Sequence, residues 1–364
     1  MGFVDLNAPP HLAAWKREVG DFLSTCRDLP DLVGFSTSGS SGRPPKMLLF
    51  HQEALECSAR AAVAHLHAWE GDWCCPLPTY HVGGAMIFQR ARIAGVRVHT
   101  LEGRWDAARY ADLVSRRACA WSSLVPAQVF DIVHDEIPAP SCLRCVIVGG
   151  GRLERAAGER ARALGWPVVQ SYGMTEAASQ VATALPESPF ENDWLPLLPH
   201  WDASIDEQGC LALQGSALFF AQITEGDNGR LVWLPRDPSA RWRSSDVVEL
   251  HDGKLRFLRR RDRLVKILGE LIDLDGVEAS LAADAPGCAV VALPHPRRGA
   301  DLVLCGEEKA PLLRALARWN AAKPGPLRLA HCAALPLPRN SMGKLERGLL
   351  RREIAQLFSS SNRA

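Results

Sequence analysis

The chain has 364 residues, 47% of them hydrophobic and 23% charged, which is enough for about two domains with a substantial core. Its formal net charge is +1, with acidic and basic residues spread along the chain, so nothing points to a nucleic-acid or membrane partner. The sequence has no secretion signal, no apolar run near the ~18 residues of a membrane span, and eleven cysteines, so we expect a cytoplasmic protein with free thiols.

The first predicted elements lead into a loop that is rich in small residues. Residues 1 to 31 are typical of one short amphipathic helix and a proline-containing loop, and Leu32 to Phe35 is typical of a strand end. The sequence then runs FSTSGSSGRPPK from Phe35 to Lys46. Glycine lets backbone N–H groups approach a polyphosphate, hydroxyls donate hydrogen bonds to it, and cations offset its charge. The run therefore predicts a phosphate-binding loop.

Two other interpretations of this run stay open. No lysine directly follows either of its glycines, so it is not a Walker loop, and it is also typical of a flexible surface turn. Gly-Ser-Ser-Gly is similar to the nucleophile segment of the amidase signature family as well. That chemistry needs a partner lysine, and Lys16 is the only lysine before the loop.

From the loop to about residue 180, strand-like and helix-like runs alternate. This alternation predicts a parallel or mixed sheet covered by helices, with ligands bound at the carboxyl ends of the strands. The predicted strands are Met47–Phe50, Trp73–Leu77, Val96–Leu101, Ala118–Val125, Cys145–Val148 and Val168–Ser171. The predicted helices include Glu53–Ala68, Ala85–Ala94, Ala107–Arg117 and Leu153–Leu164.

Polar or glycine-rich segments follow three of these predicted strands. LPTYHVGG, Leu77 to Gly84, contains His81, and the helix after it contains Arg90, whose guanidinium is suited to a bidentate pair with a carboxylate. VIVGGGRLE, Val146 to Glu154, has three consecutive glycines. QSYGMTEAASQ, Gln170 to Gln180, combines an aromatic ring, a hydroxyl and a carboxylate. Tight turns or surface charge are the alternative interpretations of such segments.

The second half of the chain has a different character. Residues 181 to about 200 are typical of a loop, and short alternating runs from Ala203 to Leu258 predict β-hairpins, with Asp252-Gly253 as a favoured turn. The basic segment RRRDRLVKILGE begins at Arg259. Further helix-like and strand-like runs then lead to LPRNSMGKLERGLLRREI, which begins at Leu337.

Five segments, in the same order along the chain, resemble motifs of the adenylate-forming acyl- and aryl-CoA synthetase superfamily. The first loop is similar to TSGSTGxPK, with one extra residue before the lysine. YGMTE is the second motif, Ser244-Ser245-Asp246 is similar to Thr-Gly-Asp, Arg259 to Lys266 to GRxDDxIK, and Pro338 to Arg347 to PRTxxGKxxR. The residues of LPTYHVGG, VPAQ and YGMTE are most similar to the o-succinylbenzoate-CoA ligases of menaquinone biosynthesis.

The resemblance implies a nucleotide site. Tyr172 would stack on adenine, Asp246 would accept both ribose hydroxyls, and Thr175 would contact a phosphate. The implied nucleotide-binding set is Thr37, Ser38, Gly39, Ser40, Ser41, Gly42, Lys46, Gly149, Gly150, Tyr172, Gly173, Thr175, Asp246 and Arg260.

The resemblance also implies catalytic and acyl-binding residues. Lys344, Glu176 and His81 would be catalytic, with Glu176 as the ligand of Mg²⁺, and Asp262 would be the hinge between two domains. The implied acyl-binding set is His81, Arg90, Gly151 and Ser179. Arg90 and Ser179 are the candidates for the second carboxylate of an aromatic diacid.

The expected fold is α/β, the fold of the adenylate-forming enzymes. The resemblance implies a large ATP- and acyl-binding domain over residues 1 to 259, with a truncated first subdomain and a β-rich end. It implies a small, mobile α+β lid domain over residues 260 to 364 that carries Lys344.

The expected activity is ATP-dependent ligation of a carboxylate to coenzyme A through an acyl-adenylate. ATP and Mg²⁺ would be required, coenzyme A would be the co-substrate, and the partners would be small molecules without nucleic acid or membrane. Another aryl- or acyl-CoA ligase, a carrier-loading adenylation enzyme and a nucleotide-binding pseudoenzyme stay open as alternatives. A homodimer is one candidate assembly.

Overall fold

The fold is taken from a computed structural model, which describes residues 4–26, 29–37, 45–191, 193–226, 228–267, 270–295, 297–323, 325–341 and 343–361. The strands are β1 Val4–Asn7, β2 Leu32–Thr37, β3 Lys46–His51, β4 Trp73–Cys75, β5 Val98–Thr100, β6 Trp121–Leu124, β7 Cys145–Val148, β8 Val168–Met174, β9 Ser179–Thr183, β10 Trp194–Pro196, β11 Asp202–Ile205, β12 Cys210–Gln214, β13 Ala221–Glu225, β14 Leu231–Pro235, β15 Trp242–His251, β16 Lys254–Arg260, β17 Leu264–Ile267, β18 Glu270–Asp273, β19 Ala289–His295, β20 Gly299–Gly306 and β21 Leu329–Ala334. The helices are α1 Ala13–Ser24, α2 Gln52–Leu66, α3 Val82–Ala94, α4 Ala107–Arg117, α5 Pro126–His134, α6 Arg155–Ala163, α7 Leu274–Leu281, α8 Lys309–Ala322 and α9 Arg347–Ser361.

A six-stranded sheet forms the centre of the first half, in the order β5-β4-β6-β7-β8-β9. Its pairs are parallel except β8 with β9, which confirms the predicted mixed sheet. The run Cys145–Val148 is buried throughout, as expected of a central parallel strand with both faces covered. Because the strands run the same way, the loops after β4, β7 and β8 open at one edge of the sheet.

Two further sheets complete this half. One has the order β1-β2-β3-β13-β14, and the other is antiparallel with the order β10-β16-β15-β12-β11. The turn predicted at Asp252-Gly253 joins β15 to β16, and both residues have the left-handed backbone, φ 47° and 70°, that such hairpin turns need. This hairpin places Asp246 of β15 opposite Arg260 of β16.

The remaining residues form two smaller sheets and three helices. β17 pairs with β18, and β19, β20 and β21 form a sheet. Hydrophobic clusters lie around the helices of this part, with members such as Leu281, Leu304 and Trp319 in one and Leu350 and Ile354 in the other.

Some predicted boundaries were wrong, for identifiable reasons. Residues 1 to 31 contain β1, whose mixed sequence Val-Asp-Leu-Asn becomes a strand by pairing in parallel with β2. The region from 181 to 200, predicted as a loop, contains the end of β9 and all of β10. In the part of the chain described here, no helix is long and apolar enough to cross a membrane.

Candidate active site

Tyr172, Asp246 and Arg260 come together from β8 and from the hairpin of β15 and β16. Asp246 lies opposite Arg260 in the register of that hairpin, with Arg260 Nη1 3.7 Å from Asp246 Oδ1. The Tyr172 hydroxyl donates a 2.6 Å hydrogen bond to Asp246 Oδ2. Burial, and then the adjacent Asp246 carboxylate, raise the pKa of this hydroxyl well above its usual value, so it stays a donor. Asp246 therefore contacts two other residues predicted for the nucleotide site, Tyr172 and Arg260.

Glu176 lies beside this group, in a short turn, Thr175–Ala177, directly after β8. Burial raises the pKa of its carboxyl, while the positive charges of Arg260 and Lys46 oppose that shift and Asp246 adds to it. The turn is fixed from outside, because the backbone N–H of Phe219 donates to the carbonyl of Glu176. A partly desolvated carboxylate next to two cations is suited to bind a further cation shared with phosphate oxygens.

The predicted phosphate loop is framed by Thr37 and Lys46. These residues lie opposite each other at the open end of the hairpin of β2 and β3. Ser38, Gly39, Ser40, Ser41 and Gly42 lie outside the described residues. Lys46 is near enough to Glu176 to stabilise its charged form.

The glycine-rich turn after β7 borders the same edge. The Gly149 amide donates a 3.1 Å hydrogen bond to the carbonyl of Leu124, and Gly150 has φ 76°, a conformation that favours glycine. Gly173 has a steric reason instead. A Cβ there would lie 1.7 Å from the carbonyl oxygen of Ser179, so only glycine fits where β8 and β9 approach each other.

The turn between β8 and β9 has an unusual backbone. Ala178 and Ser179 have φ of 47° and 95°, and non-glycine residues adopt such angles at a cost of about 1–3 kcal/mol each. The Ser58 hydroxyl holds the turn by a 2.8 Å hydrogen bond to the carbonyl of Ala178. Backbone strain of this kind is concentrated at functional sites, and here it directs the Ser179 hydroxyl toward Arg90.

Arg90 is a buried cation in α3, with 2% of its surface exposed. Its Nη2 donates a 3.4 Å hydrogen bond to Ser179 Oγ, and its Nε and Nη1 have no hydrogen-bond partner among the described residues. No carboxylate in that part of the chain pairs with it. The guanidinium lies 5.7 Å from the centre of the Trp73 ring, and burial lowers its pKa to about 10. Since buried charges are normally paired, the unpaired N–H groups of Arg90 form a candidate anion site.

The loop that carries Lys344 packs onto the loop that carries His81. The Tyr80 hydroxyl donates a 2.8 Å hydrogen bond to Ser341 Oγ, and His81 Nε2 lies 3.2 Å from the same oxygen. Gly343, with φ 71°, sits so close to Ala127 that a Cβ there would approach it to 3.1 Å. These contacts bring residues far apart in sequence to one edge of the central sheet.

Lys344 is exposed, and its charge interacts with those of the nucleotide-site candidates Asp246, Glu176 and Arg260. Desolvation in the cleft lowers the pKa of its ammonium group, and the positive charge of Arg260 lowers it further. Asp246 and Glu176 act in the opposite direction. Although the side chain keeps contact with solvent, it lies within electrostatic range of both carboxylates.

The predicted hinge lies in a short turn, Arg261–Arg263, between β16 and β17. The side chain of Asp262 is outside the described residues, so its role as the hinge stays a prediction from the sequence.

Several contacts of the site had no signal in the sequence. The ring centres of Phe257 and Tyr172 are 5.9 Å apart, and Trp73 lies beside Arg90. Ser341 contacts both Tyr80 and His81. Each depends on pairing between distant segments. The one available signal was closeness in sequence to a predicted motif, as for Ser341, which lies three residues before Lys344.

His81 and His200 are partly buried histidines whose protonation should affect stability. Burial lowers the pKa of His81 and of His200 to about 4, below the ordinary value of about 6.5. Between those values the unfolded chain binds more protons than the folded chain, so the free energy of unfolding should fall as the pH falls from about 6.5 to about 4. Urea unfolding at several pH values should show a smaller loss in His81→Gln and in His200→Gln. Imidazole signals that titrate near pH 6.5 in the folded protein would contradict this.

The site is compatible with Mg²⁺ bound through few protein ligands. Within the described ranges, no group of three or more histidine, cysteine, aspartate or glutamate side chains is arranged to hold a metal. Mg²⁺ commonly uses one or two carboxylates together with substrate phosphates. Glu176, whose charged form is stabilised by Lys46, can supply one such carboxylate.

Comparison with known proteins finds a family model and several relatives that match this chain. Residues 35–210 match the family model described as AMP-binding enzyme. A 2-succinylbenzoate–CoA ligase of Geobacillus sp. (strain WCH70) is 33% identical over 154 residues, which are 42% of this chain and 31% of that protein. The enzyme of the same name from Geobacillus kaustophilus is 29% identical over an alignment of 364 positions, covering 88% of this chain and 68% of that protein.

Among solved structures, an E. coli MenE variant with bound OSB-AMS matches with a TM-score of 0.71 and 25% identity, over 89% of this chain and 69% of that one. This match confirms the predicted fold class. The alignments to the first curated relatives span only about a third of their length, between 31% and 38%.

Proposed function

We propose that this chain belongs to the adenylate-forming superfamily and is an ATP-dependent ligase that joins a carboxylic acid to coenzyme A through an acyl-adenylate, with o-succinylbenzoate as its acid. The similarity to proteins named 2-succinylbenzoate–CoA ligase supports the choice of acid. A ligase of this kind would serve menaquinone biosynthesis.

The observation that carries the proposal is the position of Lys344. It lies on a loop that packs against Tyr80 and His81 through Ser341, and it is within electrostatic range of Glu176, Asp246 and Arg260, which lie much earlier in the chain. A lysine in range of a candidate ribose ligand and a candidate metal ligand is where charge on a phosphoryl group would be offset.

In the proposed first step, a carboxylate oxygen of the acid attacks the α-phosphorus of ATP. A bond forms between that oxygen and phosphorus, the bond to the bridging oxygen of the β-phosphate breaks, and pyrophosphate leaves with the electron pair. Lys344 would offset the negative charge on the phosphoryl oxygens as it redistributes. Mg²⁺, held by Glu176, would supply further positive charge to the phosphates.

The nucleotide would be positioned by the contacts around Asp246. A carboxylate has about four acceptor positions, so Asp246 can accept from Tyr172 and still accept two ribose hydroxyls. The Tyr172 ring, packed near Phe257, would offer its other face to adenine. Thr37, Lys46 and Thr175 would contact phosphates, beside the glycine turn at 149–151.

The acid would be bound by Arg90 and Ser179 at one end and by His81 near the other. Arg90 offers N–H groups without a partner in a desolvated place, and these match a second carboxylate that does not react. His81, neutral at physiological pH because of its pKa of about 4, would present an uncharged imidazole near the reacting carboxylate.

In the proposed second step, the thiolate of coenzyme A attacks the acyl carbon, a thioester bond forms, and AMP leaves. We propose that residues 260–364 act as a lid that turns about Asp262 between the two steps. The separate hydrophobic clusters of that part support its movement as a unit. We also propose a cytoplasmic homodimer; all eleven cysteines are free thiols, which fits a reducing compartment.

The proposal is tested by product analysis. We expect purified protein with ATP, Mg²⁺, coenzyme A and o-succinylbenzoate to yield o-succinylbenzoyl-CoA, AMP and pyrophosphate, detected by mass spectrometry. Benzoates and fatty acids serve as competing acids, and light scattering gives the mass of the assembly. Formation of a different acyl-CoA would support the proposed reaction and show that the acid is not o-succinylbenzoate. Adenylate trapped by hydroxylamine without use of coenzyme A would instead favour a carrier-loading enzyme, and tight ATP binding without pyrophosphate release a pseudoenzyme.

A further inference from the structure

Glu278, in α7, is the centre of a charged group away from the nucleotide site. Its Oε1 accepts hydrogen bonds of 2.6 Å each from Arg263 Nη2, from Arg347 Nη1 and from the backbone N–H of Val290. Its Oε2 accepts a 2.7 Å hydrogen bond from Arg347 Nη2, so the pair with Arg347 is bidentate. Only 12% of the side chain is exposed. Two parallel hydrogen bonds fix the direction as well as the distance of a guanidinium.

Asp275, one helical turn earlier in α7, completes this group. Its Oδ1 accepts a 2.7 Å hydrogen bond from Arg263 Nε and lies 3.8 Å from Arg347 Nη2. The Glu278 cluster, defined as Arg263, Asp275, Glu278 and Arg347, thus contains two cations and two anions. Because the charges balance at close range, each arginine is held in one orientation.

The two arginines belong to the two segments on which the proposed catalysis depends. Arg263 ends the turn Arg261–Arg263 and adjoins the hinge candidate Asp262. Arg347 begins α9 and follows Lys344 by three residues in the sequence. The loop that ends at Lys344 is internally bonded: the Gly343 amide donates to the Asn340 carbonyl at 2.8 Å, and the Lys344 amide to Asn340 Oδ1 at 3.0 Å.

We propose that Glu278 is a positioning residue for the adenylation step, because it ties the hinge turn to the helix that follows Lys344. A rotation at the hinge would then move the lysine loop with it, because the hinge turn and the start of α9 would keep their relative positions. Glu278 touches neither nucleotide nor acid and acts only through Arg263 and Arg347. The inference rests on the proposed function, since it concerns the delivery of Lys344 to the nucleotide.

Reaction rates are sensitive to small displacements of a catalytic group. An error of about 1 Å in the position of a catalytic group can cost about 100-fold in rate. Lys344 reaches the site by its long side chain from a loop whose far end is Arg347. Without the bidentate pair, the first turn of α9 would lose its fixed direction, while the contacts of Ser341 with Tyr80 and His81 would stay available.

The kinetic test compares Glu278→Gln with Leu281→Ala. Leu281 lies in the same helix, is 1% exposed and packs in the core, so its truncation destabilises this part without touching the cluster. We expect Glu278→Gln to lower kcat for acyl-adenylate formation by about 10- to 100-fold, with little change in KM for o-succinylbenzoate. Leu281→Ala should keep its kcat well below its melting temperature. Equal losses in the two variants, or a loss confined to KM, would overturn the proposal.

A second readout does not depend on activity. Hydrogen exchange of the backbone amides should accelerate in Glu278→Gln over residues 343–350 and stay near wild type over α8. In Leu281→Ala the acceleration should extend to α8. An unchanged rate over residues 343–350 in Glu278→Gln would overturn the inference. If wild-type protein makes no adenylate, the proposed function fails, while the exchange measurement still decides whether Glu278 holds the lysine segment.

Discussion

Lys344→Ala is expected to lower the rate of acyl-adenylate formation by about 10²- to 10³-fold, the usual cost of removing a preorganised charge-stabilising group. Thioester formation from chemically prepared acyl-adenylate should be nearly unchanged, because in that step AMP leaves and no phosphoryl transfer occurs. The first rate is measured by pyrophosphate exchange and the second by thioester release. Lys309→Ala, at an exposed position at the start of α8, is the control and should keep both rates.

The lowered pKa of Lys344 also predicts how the adenylation rate should change with pH. Its pKa is lowered from the ordinary 10.5 by desolvation and by Arg260, and the ammonium form is the one that offsets phosphoryl charge. The adenylation rate should therefore fall as the pH rises through that lowered pKa, before an exposed lysine would titrate. Lys344→Arg should lose this alkaline decrease, because a guanidinium keeps its charge. Equal losses of both half-reactions in Lys344→Ala would reject its assignment to the first step.

The elements of the fold that the sequence predicted well are those with a local cause. Cys145–Val148 is a strand because it is apolar and is followed directly by glycines, and the hairpin turn at Asp252 needs residues that tolerate positive φ. β1 has no such local signal and forms by pairing with β2. α9 was not predicted, because its start is a charged motif whose arginine is used by Glu278, 69 residues earlier.

The candidate site shows the same division. The residue types at Tyr172, Asp246 and Lys344 could be assigned from motifs, because each motif is contiguous. Their proximity could not, because it depends on how the sheets of β8 and β15 pack and on where the loop of Lys344 lies. Most of the phosphate loop lies outside the described residues, so its role stays a prediction from the sequence.

Arg90→Met is expected to lower activity toward o-succinylbenzoate without lowering the free energy of unfolding. Burying an unpaired guanidinium is costly, and apolar replacements of buried charges are often neutral or stabilising by about 1–4 kcal/mol. Methionine is unbranched and adapts to irregular space, so it can fill the cavity next to Trp73. We therefore expect the free energy of unfolding, measured in urea without ligands, to rise or stay equal in Arg90→Met.

The same variant should lose the proposed acid. Removing one partner of a buried, hydrogen-bonded charge pair typically costs about 2–5 kcal/mol, so kcat/KM for o-succinylbenzoate should fall by about 30-fold or more. A benzoate without the second carboxylate should lose much less, since it never made that contact. Arg92→Met, two positions along α3, removes an exposed arginine that pairs with Glu56 and should change neither quantity. If both acids lost activity equally and the protein were destabilised, Arg90 would be a structural residue, and the second carboxylate would have to bind elsewhere.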